Sequence, residues 1–191
     1  NYLYINIIFV TNKIVVVEVA DRSFELFLTH EEIQEAVKNV ASKINTDYEN
    51  KEIVFVGVLN GVFMFASDLI KHISVSCEVT FIKVQSYQGT SSSGKVTKLI
   101  GLSTELEGKH VIILEDIVDT GLTLEKLHTM MKEHQPQSFE VATLLFKPDA
   151  FKGKTPPKYI GKEIQNKFIV GYGLDYQEKG RNLKDIYKIK E

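Results

Sequence analysis

Apolar residues recur along this chain at two different spacings, and the spacing switches from one segment to the next. After Thr29 they fall at Ile33, Ala36, Val37, Val40 and Ile44, the repeat of one helix face, and Thr29 with Glu32 makes a capping box at its start. "EIVFVGVL" (52–59), "HVIILE" (110–115) and "FEVATLLF" (139–146) are instead unbroken apolar runs of strand length. Such runs belong to strands buried on both faces. "KFIVGYG" (167–173) predicts a fourth strand of this kind, and "CEVTFIKV" (77–84) is strand-like as well. Gly61 opens the apolar helix "VFMFASDLIKHI", and a further helix is predicted from about Leu122 to His134. Strands alternating with helices predict an α/β chain, built on a mainly parallel sheet with helices on both faces.

Two stretches depart from these patterns. "VQSYQGTSSSGKVTK" (84–98) is polar and has no apolar periodicity, so it reads either as a slack hairpin connection or as a functional lid. At the start, "YINIIFV" and "KIVVVEV" pair as a hairpin if they are ordered. Residues 1–16 are taken as an N-terminal extension ahead of a single domain over 17–191.

Composition narrows the classes. A chain of 191 residues with 43% hydrophobic content is ample for one buried domain and short for two. A formal net charge of −2 carries no overall electrostatic footprint for nucleic acid. No apolar run reaches the ~18 residues needed to span a bilayer, and the apolar opening lacks a basic leader region and a small-residue cleavage site. The single cysteine, Cys77, excludes an intrachain disulfide and suits a reducing compartment. A soluble cytoplasmic protein is expected.

The chemistry concentrates in "VIILEDIVDTGLT" (111–123), where a hydrophobic strand runs into three carboxylates and a turn. In open parallel sheets ligands sit beyond the carboxyl ends of the strands. Asp119, Thr120, Gly121, Leu122 and Thr123 place backbone N–H groups at a helix N-terminus, an anion site for which phosphate is the natural guest. Ionised Glu115 and Asp116 only accept hydrogen bonds, so they suit sugar hydroxyls or a divalent cation. A lone Asp-Thr-Gly would read as an ordinary helix N-cap with solvated acids nearby. Two acids, two aliphatics and Asp-Thr-Gly-x-Thr after an apolar strand read instead as a site for a ribose 5-phosphate.

That pattern resembles the phosphoribosyl pyrophosphate (PRPP) motif of the type I phosphoribosyltransferases. "SFELFL", "GVLNGVFMFASDL", "SYQGTSSSG", "TLLFK" and "KFIVGYGLDYQEKGRNL" extend the resemblance, from about residue 17 onward, to the hypoxanthine-guanine phosphoribosyltransferases. The resemblance implies a mainly parallel sheet flanked by helices, with a small hood subdomain. It also implies Mg²⁺-dependent transfer of 5-phosphoribosyl from PRPP to N9 of hypoxanthine or guanine, giving IMP or GMP plus pyrophosphate. Glu115 and Asp116 would then bind the ribose hydroxyls directly or through Mg²⁺, Asp119 would be the acid/base near N7 of the purine, and residues 119–123 would cradle the 5-phosphate. Lys147, which by composition alone is one of 21 mostly solvated lysines, would donate to the purine 6-oxo group. Phe168, otherwise a core residue, would stack on the base. Ile169 and Asp175 would read its position 2, and Asp175 would also orient Mg²⁺. Arg181, one of two arginines, would bind pyrophosphate oxygens with its planar fork. Asn60 and Gly61 match the loop carrying a non-proline cis peptide beside the pyrophosphate, and Ser86-Tyr87 match the start of a mobile loop that closes over the site to exclude water.

Two positions depart from the family pattern. Asn60 stands where many members carry lysine, which removes a positive charge near the pyrophosphate, and Gly180 stands where an aromatic commonly precedes the arginine. The expected partners are PRPP and a 6-oxopurine, with no nucleic acid or membrane, in a homodimer or homotetramer. The alternative is a non-catalytic nucleotide sensor of the same fold that regulates RNA or DNA binding. A basic face would favour the sensor, whereas Lys147, Phe168 and Asp175 together favour the enzyme, because a PRPP sensor has no need of a purine pocket.

Overall fold

Two sheets organise the chain in the computed structural model, which describes residues 7–10, 14–87, 96–102 and 104–190. At the centre of the larger sheet, β4 (Ile53–Leu59) pairs in parallel with β5 (Cys77–Tyr87) on one side and β7 (His110–Val118) on the other. Next to β7 come β8 (Ser138–Phe146) and β9 (Tyr159–Glu163), both parallel, while β6 (Val96–Ile100) closes the other edge antiparallel to β5.

Side-chain alternation along these strands splits the core into two layers. Ile53, Phe55, Ile112 and Leu114 point to one face, under α1 (His30–Asp47) and α2 (Phe63–Ile70). Val54, Val56, Val111 and Ile113 point to the other, under α3 (Leu122–Glu133) with its Leu124, Leu127 and Met131. The capping box holds as read: Thr29 Oγ1 accepts from the Glu32 N–H at 3.3 Å, and Glu32 Oε2 accepts from the Thr29 N–H at 3.0 Å. Among the described residues, no helix is long and apolar enough to cross a membrane.

The smaller sheet joins the two ends of the chain. Its order is β1 (Ile7–Val10), β2 (Ile14–Val19), β3 (Arg22–Leu28), β11 (Ile186–Ile189) and β10 (Ile169–Val170), all antiparallel. Val17, Val19, Phe24, Val170, Leu183 and Tyr187 form its own apolar cluster. The expected hairpin at the start is present as β1–β2, with Ile7 opposite Val17.

Four expectations are corrected. "KFIVGYG" is not a strand of the parallel sheet. Only Ile169–Val170 is extended, in the smaller sheet, because Gly171, Tyr172 and Gly173 all take positive φ and turn the chain. The strand before the acids does not stop at Glu115, since the β-branched Ile117 and Val118 continue it opposite Leu145 and Phe146. Part of the polar stretch 84–98 is strand: Ser86 and Tyr87 end β5 opposite Thr97 and Val96 of the antiparallel β6, as a hairpin connection requires, and the remaining segment, 88–95, on which the lid reading falls, lies outside the described residues. The helix after Gly61 covers only Phe63–Ile70, shorter than its apolar run.

Candidate active site

The loop after β7 and the start of α3 enclose a concavity of about 210 Å³ lined by residues from Glu115 to Leu124. α3 begins at Gly121, which takes φ +84° and makes no side-chain cap. A Cβ there would press into the Phe151 ring. The first N–H groups of a helix have no intrahelical partner, and here no cap side chain covers them, which leaves an anion-binding terminus. Asp119 is not the N-cap that the plain reading assigned it. Its Oδ2 accepts from the Lys147 ammonium at 3.0 Å, pairing a half-exposed carboxylate with a buried lysine.

A second cavity, of about 390 Å³, adjoins the acids. Asn60, Gly61, Glu115, Asp116, Asp175 and Arg181 line it, which brings together the loop after β4, the acids of β7 and the segment after β10. The Leu59–Asn60 peptide is cis. Gly61 sits so close to Asp116 that a Cβ would overlap the carboxylate, and a Cβ on Gly173, at φ +97°, would overlap the Gly61 carbonyl oxygen. Arg181 donates to the Gly173 carbonyl at 2.9 Å and pairs with Asp175 at 2.7 Å and Glu178 at 3.0 Å. The Gly180 departure therefore leaves Arg181 in the cavity wall.

Glu115 is buried and its Oε1 has no hydrogen-bond partner among the described residues. Burial, and then the neighbouring Asp116, hold its carboxyl well above the usual carboxylate range. Burial likewise pushes Asp116 up to about 6, against the pull of the Ile117 N–H, which donates to Oδ1 at 2.8 Å, and of Arg181. The folded protein thus binds a proton at Asp116 between pH 3.8 and about 6 that the unfolded chain releases. The contribution of Asp116 to stability must fall as pH rises through that window, by at most about 3 kcal/mol. Asp116→Asn is expected to stabilise the free protein more at about pH 7.5 than at about pH 4, read as the gap in melting temperature between variant and parent. A gap independent of pH would contradict the assignment.

Phe168 is 48% exposed, so the core reading does not hold for it. Tyr176 meets its ring edge-to-face at 5.7 Å and Phe24 tilts against it at 6.3 Å, which fixes the ring while leaving surface free. Ile169 is buried in β10. The sequence reading missed Lys126 of α3, which also lines the 390 Å³ cavity. Its position three residues after Thr123 was the available signal, since residues at that spacing share a helix face. It missed too that Tyr172 donates to Asp68 of α2 at 2.6 Å, anchoring the glycine-flanked turn to the larger domain layer.

With the site in place, comparison with known proteins is decisive. Residues 23–177 match the phosphoribosyl transferase domain. A hypoxanthine-guanine phosphoribosyltransferase of Staphylococcus aureus is 42% identical over 167 residues, which cover 87% of this chain and 93% of that protein. The chain belongs to the hypoxanthine-guanine phosphoribosyltransferases. The fold agrees. A crystal structure of a hypoxanthine-guanine phosphoribosyltransferase from Bacillus anthracis superposes with a TM-score of 0.79 at 39% identity, covering 91% of this chain and 99% of that one. A hypoxanthine phosphoribosyltransferase variant from Trypanosoma cruzi, complexed with the product IMP, superposes at 0.79 with 36% identity, covering 91% and 93% of the two chains.

Proposed function

We infer that this phosphoribosyltransferase transfers 5-phosphoribosyl from PRPP to N9 of hypoxanthine or guanine, releasing pyrophosphate and forming IMP or GMP in purine salvage. The observation that carries the reading is the Lys147–Asp119 pair, 3.0 Å apart, at the edge of the helix-terminus anion site. A 6-oxopurine presents O6 and N7 as adjacent acceptors on one edge. The buried ammonium of Lys147 suits O6, and the carboxylate of Asp119 suits a proton carried at N7. Adenine places an amino donor where O6 would be, facing the ammonium with a second donor. Phe168 stacks on the base, while the backbone of Ile169 and Asp175 read its position 2.

The N–H groups and hydroxyls of residues 119–123 hold the 5-phosphate, and Glu115 and Asp116 face the ribose hydroxyls. The orphaned Oε1 of Glu115 and the carboxylates of Asp116 and Asp175 on one cavity fit a Mg²⁺ ion. Among the described residues no three such groups stand close enough to hold a metal, so one or two of these carboxylates would hold the ion together with substrate oxygens. When bound, Mg²⁺ neutralises charge on the leaving pyrophosphate. Arg181 and the Asn60–Gly61 loop orient that group through directed N–H donors. Ser86 and Tyr87, which lie beyond the Leu59–Lys83 pairing that ends β4, start the loop that closes over the site.

The enzyme is proposed to act in the cytoplasm as a homodimer or homotetramer.

A spectrophotometric assay with PRPP and Mg²⁺ tests the reading, with hypoxanthine, guanine, xanthine and adenine offered separately. Turnover of 6-oxopurines and not of adenine is expected. In the same assay Lys147→Met should lose roughly 10–100-fold in kcat/KM for hypoxanthine, the worth of a hydrogen bond to a charged donor. Turnover of adenine by the parent, or full activity in the variant, would overturn the assigned purine edge.

A further inference from the structure

We propose that Lys126 binds the leaving pyrophosphate and supplies the positive charge that the neutral Asn60 does not. The proposal rests on the phosphoribosyl-transfer reading and adds to it a residue outside the PRPP motif.

Placement on the helix comes first. Lys126 stands three residues after Thr123 on α3. Side chains three apart share a helix face, and each leans toward the helix N-terminus. The Lys126 stem therefore lies over the turn that carries Thr123. Its atoms line the 390 Å³ cavity shared by Asn60, Gly61, Asp175 and Arg181. They do not line the 210 Å³ concavity formed by residues 115–124. Lys126 thus belongs to the compartment beyond the ribose acids and not to the 5-phosphate cradle.

Charge points the same way. Three carboxylates, Glu115, Asp116 and Asp175, face the cavity. Arg181 is already engaged by Asp175, Glu178 and the Gly173 carbonyl, and Lys147 by Asp119. Lys126 is exposed and makes no ion pair among the described residues. A diphosphate entering this space meets one uncommitted cation among the described residues lining it, on a four-carbon stem able to follow it.

The test uses the whole protein. Lys126→Met keeps the stem and a strong helix former, so the exposed helix face should survive. It is expected to raise KM for PRPP and the inhibition constant of pyrophosphate each about 10-fold, while KM for hypoxanthine and the affinity for IMP, which lacks the pyrophosphate, stay within about 2-fold. Lys126→Arg should keep most of the parent's PRPP affinity. Asn60→Lys placed in the Lys126→Met background should recover at least half of the loss, because it returns a charge to the same cavity.

Unchanged PRPP and pyrophosphate constants would overturn the proposal. So would an equal loss of IMP affinity, which would assign Lys126 to the 5-phosphate, or a loss that neither Lys126→Arg nor Asn60→Lys relieves. Failure of the transfer reading looks different: the parent protein itself would turn over no base. Calorimetric titration of parent and Lys126→Met with pyrophosphate and Mg²⁺ would then decide the Lys126 contact alone.

Discussion

Asp119→Asn is expected to lower turnover of hypoxanthine by ~10²–10⁴-fold, the range of a positioned acid/base, with the protein still folded. Asparagine has the same shape and its Oδ1 can accept from Lys147, so the 3.0 Å contact has a neutral successor. What disappears is the carboxylate proposed to hold a proton at N7. Because Lys147 is only 6% exposed, its ammonium is left against an amide dipole, and about 1–3 kcal/mol of stability should go with the charge. The two effects separate in measurement. Thermal melts report the lost ion pair, whereas kcat at saturating PRPP and hypoxanthine reports the chemistry. A variant that loses affinity for hypoxanthine yet keeps kcat would make Asp119 a positioning group for Lys147 and would remove it from the acid/base role.

The second large effect is structural. Gly173→Ala is expected to destabilise the protein by about 2–4 kcal/mol. Its φ of +97° is unfavourable for alanine, and the added Cβ would overlap the carbonyl oxygen of Gly61, a backbone atom that cannot rotate away. Gly61 cannot retreat, because its own Cα lies against the Asp116 carboxylate. Three residues distant in sequence thus form a stack that fixes the Asn60 loop, the acid of β7 and the turn carrying Arg181. Catalysis should fall with stability, seen as a raised KM for PRPP. Gly108→Ala is the control: φ is +70° but none of the described residues lies within 4 Å of the new Cβ beyond its chain neighbours, so only the backbone term of about 1–2 kcal/mol applies. Equal melting temperatures for the two variants would show that the Gly61 contact relaxes.

Much of this molecule was legible one residue at a time. The helix after Thr29 was readable because a helix repeat and its cap involve neighbours three and four residues apart. The strands at 53–59 and 138–146, and the 110–115 part of that at 110–118, were readable because strands covered on both sides need apolar residues along their length. The turn into α3 was readable because a helix start at a positive-φ glycine is a local backbone shape that needs small residues in sequence order. Misreadings arose where pairing was distant. "KFIVGYG" has the composition of a buried strand, yet its positive φ angles and its partner β11 place it in the smaller sheet. β3 meets β11 only because the two chain ends come together.

The sequence by itself determined the α/β class, the helix cap, the turn from β7 into α3 and the residue types able to handle a phosphoribosyl group, since each depends on groups within one turn or one strand of each other. Only the tertiary structure decided that Asp119 pairs with Lys147, 28 residues away, that Glu115 and Asp116 are held in a setting that raises their proton affinity, and that Lys126 shares a cavity with Asn60 and Arg181. Ion pairing, desolvation and cavity lining depend on which crossovers bring which strand ends together, and no spacing along the chain encodes those distances.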